Sequence, residues 1–294
     1  MYSLYYSPMA RKLGLAKTTA WGCALRKVTN GYDTIMKGEK GTPFEVVSNT
    51  EEYWFADPLL FADEGKTWLF VEAFNKIAKK GEIGVFDIVD GKAKNFQILI
   101  QTPTHMSYPF VFKHQGDYYM IPETGAAGHI ALYKAKNFPY DWEVDTILLE
   151  GSVYRDSTVI QNKDGSLTLL SYKQEGTNRF NQKNTFTVFS LNMENKELSK
   201  VSEFVDKKKV NRPAGPCFEE NGKAYRVSQK CNRAYGEAMF VYQINQDGNF
   251  EKDSVINLFD GSNIMLSTGG KVVLTHTYSQ AGGYEVVDYR CLIK

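Results

Sequence analysis

Ser107 to Thr124 reads SYPFVFKHQGDYYMIPET. Pro109 to Phe112 is a short apolar run, Lys113 to Asp117 is a polar turn containing Gly116, and Tyr118 to Pro122 is a second, aromatic-rich run. Two β-prone runs joined across a Gly-containing turn describe a β-hairpin. Its free ends bring Tyr108 and Glu123 together, and both are polar where a core strand would stay apolar.

The same frame returns along the chain. Pro58, Phe61, Gly65 and Glu72 stand at the mutual spacings of Pro109, Phe112, Gly116 and Glu123. Gly215, Phe218, Gly222 and Gln229 repeat it, Asn263, Leu266, Gly270 and Thr277 follow it more weakly, and Ser157 to Ser171 keeps both strands with one extra residue in the turn. Hairpins recurring at about fifty residues are the mark of propeller blades, small sheets that need neighbours to cover their faces. Further strand candidates, Gly81 to Ile88, His129 to Lys134, Thr185 to Leu191 and Ala238 to Ile244, supply each blade's remaining strands. A two-sheet sandwich would give no reason for this repeat.

The expected fold is therefore all-β, a five-bladed β-propeller forming one domain over residues 1–294. Residues 1–49 form a lead-in whose strand candidates, Trp21 to Val28 and Phe44 to Val47, complete a terminal blade. The charged stretch Asn192 to Lys209 reads as a solvated excursion between the third and fourth blades. Gly125 to Gly128, GAAG, lacks the context of a phosphate loop and reads as a tight turn into the next strand.

Lys plus Arg number 35 against 34 Asp plus Glu, so there is no basic excess of the kind nucleic acid selects. No stretch reaches the roughly 20 apolar residues of a spanning helix, and Met1 to Lys27 has no unbroken apolar core of a signal peptide, so a soluble, cytoplasmic protein without an integral membrane segment is expected. Cys23, Cys217, Cys231 and Cys291 show no CxxC spacing, and His105, His114, His129 and His276 no ligand motif. Free thiols, no metal and no cofactor are the expectation. The aromatic share, 14%, suits sheet faces and also a site that stacks against sugar rings.

In a propeller the first strand of each blade lines the channel, so the residues entering those strands, Asp57, Tyr108, Asp156, Ala214 and Ser262, face one mouth. The hairpins bring Glu72 back beside Asp57 and Glu123 beside Tyr108. Asp57, Glu72, Glu123 and Asp156 thus converge, and carboxyls crowded in one funnel can divide into acid and base, as glycosyl chemistry requires. Arg155, Arg212, Arg226 and Arg233 lie near the same end and either neutralise that ring or hold a phosphate or acidic sugar. Gln229 takes the place in the fourth hairpin that Glu72 and Glu123 take in theirs. The bland alternatives are a strand-start turn at Asp57, structural acceptors at Glu72 and Glu123, and a structural Arg155–Asp156 pair.

ADPLLF at Ala56 to Phe61, SYPFVF with YYMIPET, LYKAKNFPYDW at Leu132 to Trp142 and RPAGP at Arg212 to Pro216 resemble a family of standalone bacterial propeller proteins. The same domain stands at the N-terminus of plant glucosamine inositolphosphorylceramide transferases. More distantly the chain is similar to the five-bladed glycoside hydrolase clan of arabinanases, xylosidases and fructan-acting enzymes. That resemblance implies Asp57 as nucleophile or base and Asp156 as the residue that holds the sugar or tunes a pKa. Arg155-Asp156-Ser157 is similar to the Arg-Asp-Pro of the fructan branch. Where the clan would supply a general-acid Glu, the fourth blade has Arg212-Pro213-Ala214-Gly215; Glu123, whose hairpin also carries the aromatic Tyr108 at the mouth, is the substitute acid, with Glu72 in reserve.

The resulting expectation is a glycosyltransferase of bacterial surface polysaccharide synthesis, using catalytic Asp57, Asp156, Glu123 and Glu72 on a nucleotide-sugar donor and a carbohydrate acceptor. Tyr108, Arg155, Arg212, Arg226, Gln229 and Arg233 would bind substrate. A glycoside hydrolase and a noncatalytic glycan-binding module are the alternatives.

Overall fold

Burial falls off from the first to the last strand of each repeat, and that gradient orders the architecture. In the first repeat YWFADPLLFAD and KTWLFVEAFN are mostly buried, whereas the fourth strand, KAKNFQILI, is largely exposed. Strands covered on both faces read as nearly continuous apolar runs, and outermost strands accept charge because one edge meets water.

The computed structural model describes residues 17–176, 182–245 and 247–293. The chain begins with β1 (Gly22–Lys27), a short helix α1 (Asp33–Lys37) and β2 (Glu45–Val47). Blade one is β3 (Tyr53–Asp63), β4 (Lys66–Asn75), β5 (Lys80–Val89) and β6 (Lys92–Ile100). Blade two is β7 (Ser107–His114), β8 (Asp117–Glu123), β9 (His129–Asn137) and β10 (Asp141–Glu150). Blade three is β11 (Tyr154–Gln161), β12 (Leu167–Glu175), β13 (Lys183–Asn192) and β14 (Glu197–Val205). Blade four is β15 (Arg212–Pro213), β16 (Phe218–Glu220), β17 (Lys223–Lys230), β18 (Ala238–Gln243) and β19 (Ser254–Phe259). The C-terminal strands are β20 (Val272–Leu274), β21 (Tyr278–Ala281) and β22 (Tyr284–Cys291).

Each blade is an antiparallel meander, and the fifth is built from both parts of the chain in the order β2-β1-β22, with β20 and β21 both on β22. Among the described residues before blade one, β1, which follows Trp21, and β2 pair into the terminal blade. Five apolar clusters fill the five blade interfaces, for example Leu170, Tyr172 and Phe186 of blade three against Phe250 of blade four. The five-bladed β-propeller expected from the repeat is the observed fold.

Two expectations are corrected. The fifth hairpin lies at β21–β22, across the Gly282-Gly283 turn, and not at Asn263 to Thr277. Ser262 consequently falls in a 3-10 turn and does not enter the fifth inner strand; the break in that strand, at residues 275–277, is occupied by Thr275, His276 and Thr277. The centre of the charged stretch after Asn192, Glu197–Val205, is β14, the outer strand of blade three, and not an excursion. The four cysteines are unpaired.

Candidate active site

A repeated backbone irregularity aims the site residues. In the inner strand of each of the first three blades, two residues oppose one on the partner strand, between Ala56 and Leu59, Ser107 and Phe110, and Arg155 and Thr158. The first bulged residue has positive φ each time: Asp57 at 46°, Tyr108 at 47° and Asp156 at 48°. Non-glycine residues seldom sit there, and bulges re-aim a side chain at the cost of ladder bonds. The second bulged residue is Pro58 or Pro109 in the first two blades, where the missing N–H leaves no donor unpaired.

The mouth holds a cavity of about 350 Å³ lined by Asp57, Glu72, Glu123, Arg155, Arg212 and His276, with Trp21, Trp54, Phe74, His105 and Tyr235 around them. Trp54 and Phe74 stack at 4.3 Å, an aromatic wall of the kind a sugar ring packs against.

Asp57 is buried, accepts a hydrogen bond from Thr277 Oγ1 at 3.1 Å and lies 3.8 Å from His276 Nδ1. Burial raises its pKa, with His276 opposing. His276 is clamped between Trp21, stacked at 4.3 Å, and the edge of Tyr235, while its Nδ1 pairs with Asp288. Burial works against the imidazolium, but Asp288 and Asp57 outweigh it and the His276 pKa is raised. Asp288 also accepts the His276 and Thr277 backbone N–H groups. Asp57, His276 and Asp288 offer ligand atoms within 4.8 Å of one another and could hold a cation, although a protonated His276 already supplies positive charge between the two carboxylates.

Glu72 is in a different environment. Its ionisable neighbour is His105, with Nε2 3.6 Å away, and His105 Nδ1 accepts the Gly81 N–H at 2.8 Å, which leaves the ring proton on Nε2, facing Glu72. Burial lowers the His105 pKa, so a neutral ring is the resting form. Burial and then the charges of Asp57, Glu123, Asp156 and Asp288 push Glu72 well above the usual carboxylate range.

Glu123 and Asp156 belong to one network. Arg155 Nη1 donates to Glu123 Oε1 at 2.5 Å, and Arg212 Nη2 reaches Glu123 Oε2 at 3.2 Å. Arg212 grips Asp156 with Nε at 2.5 Å and Nη2 at 3.0 Å, and Gln229 Nε2 donates to Asp156 at 2.6 Å. Burial lifts the Asp156 pKa to about 6, with Arg212 opposing.

The structure thus brings Asp57, Glu72, Glu123, Arg155 and Arg212 to one cavity and places Asp156 and Gln229 directly behind it. Three other candidates fall elsewhere. Tyr108 does not reach the mouth: its side chain is fully buried between blades, with the hydroxyl 2.8 Å from Thr158 Oγ1, and Glu123 lies opposite Ser107 instead. Arg226 is buried in the interface of blades three and four, bonded to Asp253, Asn211 and Ser228 and packed over Tyr242, because its position on β17 turns it to that face. Arg233 pairs with Glu237 outside the cavity lining. Sequence reasoning missed Trp21, Trp54, Phe74, His105, Tyr235, His276 and Asp288, none of which carries a motif; only the strand candidate starting at Trp21 hinted at one of them.

No helix among the described residues is long and apolar enough to cross a membrane. Solved structures with similar folds include an α-L-arabinofuranosidase from Clostridium thermocellum, TM-score 0.55 and 12% identity over 81% of this chain and 82% of that one. An exo-β-1,3-galactanase from Phanerochaete chrysosporium aligns with TM-score 0.54 and 12% identity over 92% of this chain and 64% of that one. At that identity they speak to the fold. In sequence, the chain is 30% identical to glucosamine inositolphosphorylceramide transferase 1 of Arabidopsis thaliana over 196 residues, 65% of this chain and 25% of the relative. The rice protein of the same name, from Oryza sativa subsp. indica, is also 30% identical, over 200 residues, 65% of this chain and 26% of that protein. The chain thus spans about a quarter of these relatives' length. The family model described as "Glucosamine inositolphosphorylceramide transferase 1, N-terminal" matches residues 43–258, which cover all of blades one to three and nearly all of blade four, and the chain belongs to that family.

Proposed function

We propose that the mouth cavity carries out glycosyl transfer, moving a sugar from an activated donor to a hydroxyl of a bacterial surface polysaccharide. The observation that carries this reading is the division between Asp57 and Glu72 within one aromatic-walled cavity. Glu72, with no cation against it but a neutral His105, keeps its proton and is the acid. Asp57, beside His276 and the Thr277 hydroxyl, is the carboxylate. In the reaction Asp57 takes the proton of the acceptor hydroxyl as its oxygen bonds to the anomeric carbon, and Glu72 gives its proton to the departing oxygen. Glu123 passes from substitute acid to anchor in this scheme, because guanidinium donors occupy both of its oxygens.

Arg155 supports a donor with negative charge, since its Nε is buried and has no hydrogen-bond partner among the described residues, in a side chain that lines the cavity. The transferase named in the family is the second support; this chain matches a quarter of that protein's length. The hydrolase reading rests on the same carboxyl pair with water in place of the acceptor.

The test is turnover of nucleotide sugars with and without an oligosaccharide acceptor, in wild type, Asp57→Asn and Glu72→Gln. Acceptor-dependent product that falls at least about a hundredfold in both variants, with melting temperature retained, is expected. Release of free sugar without acceptor would establish the hydrolase, and full activity in Asp57→Asn would remove that residue from the mechanism.

A further inference from the structure

A second cavity, of about 450 Å³, lies on blade four beyond the mouth, and its lining contains Lys207, Lys208, Lys209 and Lys230 with Phe240 and Tyr242 and no carboxylate. Its lysines are presented by a turn that is held from beneath. Asp206 is buried and accepts the backbone N–H groups of Val210 and Asn211 at 2.7 and 2.8 Å and the Tyr172 hydroxyl at 3.1 Å. The Lys209 carbonyl receives the Cys231 N–H at 2.9 Å, which pins the turn to blade four. Two of the four ammonium groups are engaged, Lys209 with Gln182 and Lys230 with Glu237. Lys207 and Lys208 are exposed and form no ion pair among the described residues.

One short segment of chain contributes to both this cavity and the mouth. β17 ends on Gln229, which bonds Asp156, and Lys230; Lys230 and then Asn232 line the basic cavity, and Tyr235 lines the mouth. A cluster of lysines in a lining that holds no carboxylate, with Phe240 and Tyr242 beside them, fits phosphate attached to an organic body: the ammonium groups take the anion and the rings take the apolar remainder. In the mouth, carboxylates already engage Arg212, His276 and one arm of Arg155, so among the described residues only the Arg155 Nε is left there for the phosphate oxygen next to the sugar, and the rest of a diphosphate needs donors elsewhere.

We propose that the Lys207–Lys209 turn and Lys230 form a binding site for the phosphate-bearing end of the substrate whose sugar enters the mouth. This rests on the glycosyl-transfer reading for the identity of the substrate, and on the cavity alone for the anion.

The experiment is calorimetric titration of the full chain at low salt with inorganic pyrophosphate and, separately, with UDP, ADP and GDP. The proteins are wild type, the double variant Lys207→Glu/Lys208→Glu and Asp57→Asn. Pyrophosphate binding weakened at least about tenfold by the double charge reversal, falling with added salt and unchanged in Asp57→Asn, is the expected result. Tighter binding of a nucleoside diphosphate than of pyrophosphate would assign the phosphate to the donor, and equal binding would assign it to a phosphorylated acceptor; either supports the site. Failure of pyrophosphate to bind wild type, or equal binding by wild type and the folded double variant, would overturn it. A chain that shows no turnover but loses pyrophosphate binding in the double variant would sink the transfer reading and leave the anion site standing.

Discussion

Asp57, Glu72, Asp156 and His276 all sit in folded environments that hold their protons more tightly than water would. For the three carboxyls, burial penalises the charged form, so folding becomes more favourable as pH falls through the raised values, about 6 for Asp156, toward the ordinary 3.8 to 4.5. For His276 the contribution is complete below its ordinary 6.5 and is lost as pH rises through the higher folded value. The two effects have the same sign between pH 5.5 and 8. We expect the melting temperature to be higher near pH 5.5 than near pH 8 by about 2 °C or more. A flat or opposite profile in differential scanning calorimetry would show that the mouth is more hydrated than its burial indicates. Asp57 and Asp156 were legible in the sequence because they stand at matching points of a repeat. The His276–Asp288–Trp21 group was not, since its members come one each from β1's lead-in, the fifth inner strand and β22, and no spacing connects them.

At the level of the strands, spacing identified the hairpins of blades one to four, because an inner strand, a Gly turn and a second strand must recur at constant length to reach from channel to rim. The fifth was misplaced by a Gly269-Gly270 pair that matches the frame thirteen residues before the true Gly282-Gly283 turn. The charge of Glu197, Lys200 and Glu203 likewise disguised β14 as an excursion, because an outer strand exposed along most of its length accepts such residues. Blade four's inner strand carries the sharpest local constraint. At Gly215, φ is 147° and an added Cβ would come 1.9 Å from the Tyr278 carbonyl oxygen, where the inner strands of blades four and five meet through the Tyr278 N–H to Ala214 carbonyl bond of 2.8 Å. Gly215→Ala should therefore cost about 3 kcal/mol or more in urea denaturation. A loss below about 1 kcal/mol would mean that the two inner strands can slide apart.

For the molecule as a whole, Arg26 sits at the pairing of β1 with β22 that closes the ring, opposite Glu285. Its guanidinium is buried in blade five, with Nε 2.6 Å from Glu285 Oε1 and Nη2 2.9 Å from Thr34 Oγ1, and its remaining donors serve the Lys40 and Thr42 carbonyls. Glu285 is also bonded by the Tyr278 hydroxyl at 2.8 Å. Arg26→Met leaves that carboxylate buried without its cation, and a loss of about 3 to 5 kcal/mol is expected by chemical denaturation. A loss under about 1 kcal/mol would show that the sheet pairing alone closes the ring. The register of β1 on β22, from Gly22 opposite Tyr289 to Lys27 opposite Tyr284, also has a kinetic meaning. Contacts between positions so far apart in the chain are among the last that can form, because loop closure over that distance has to precede any reward. While the chain is being synthesised, β1 must wait, unpaired on one edge, until the ribosome has released β22. The hazard period for strand-edge aggregation is thus the interval in which four blades exist and the fifth is half made.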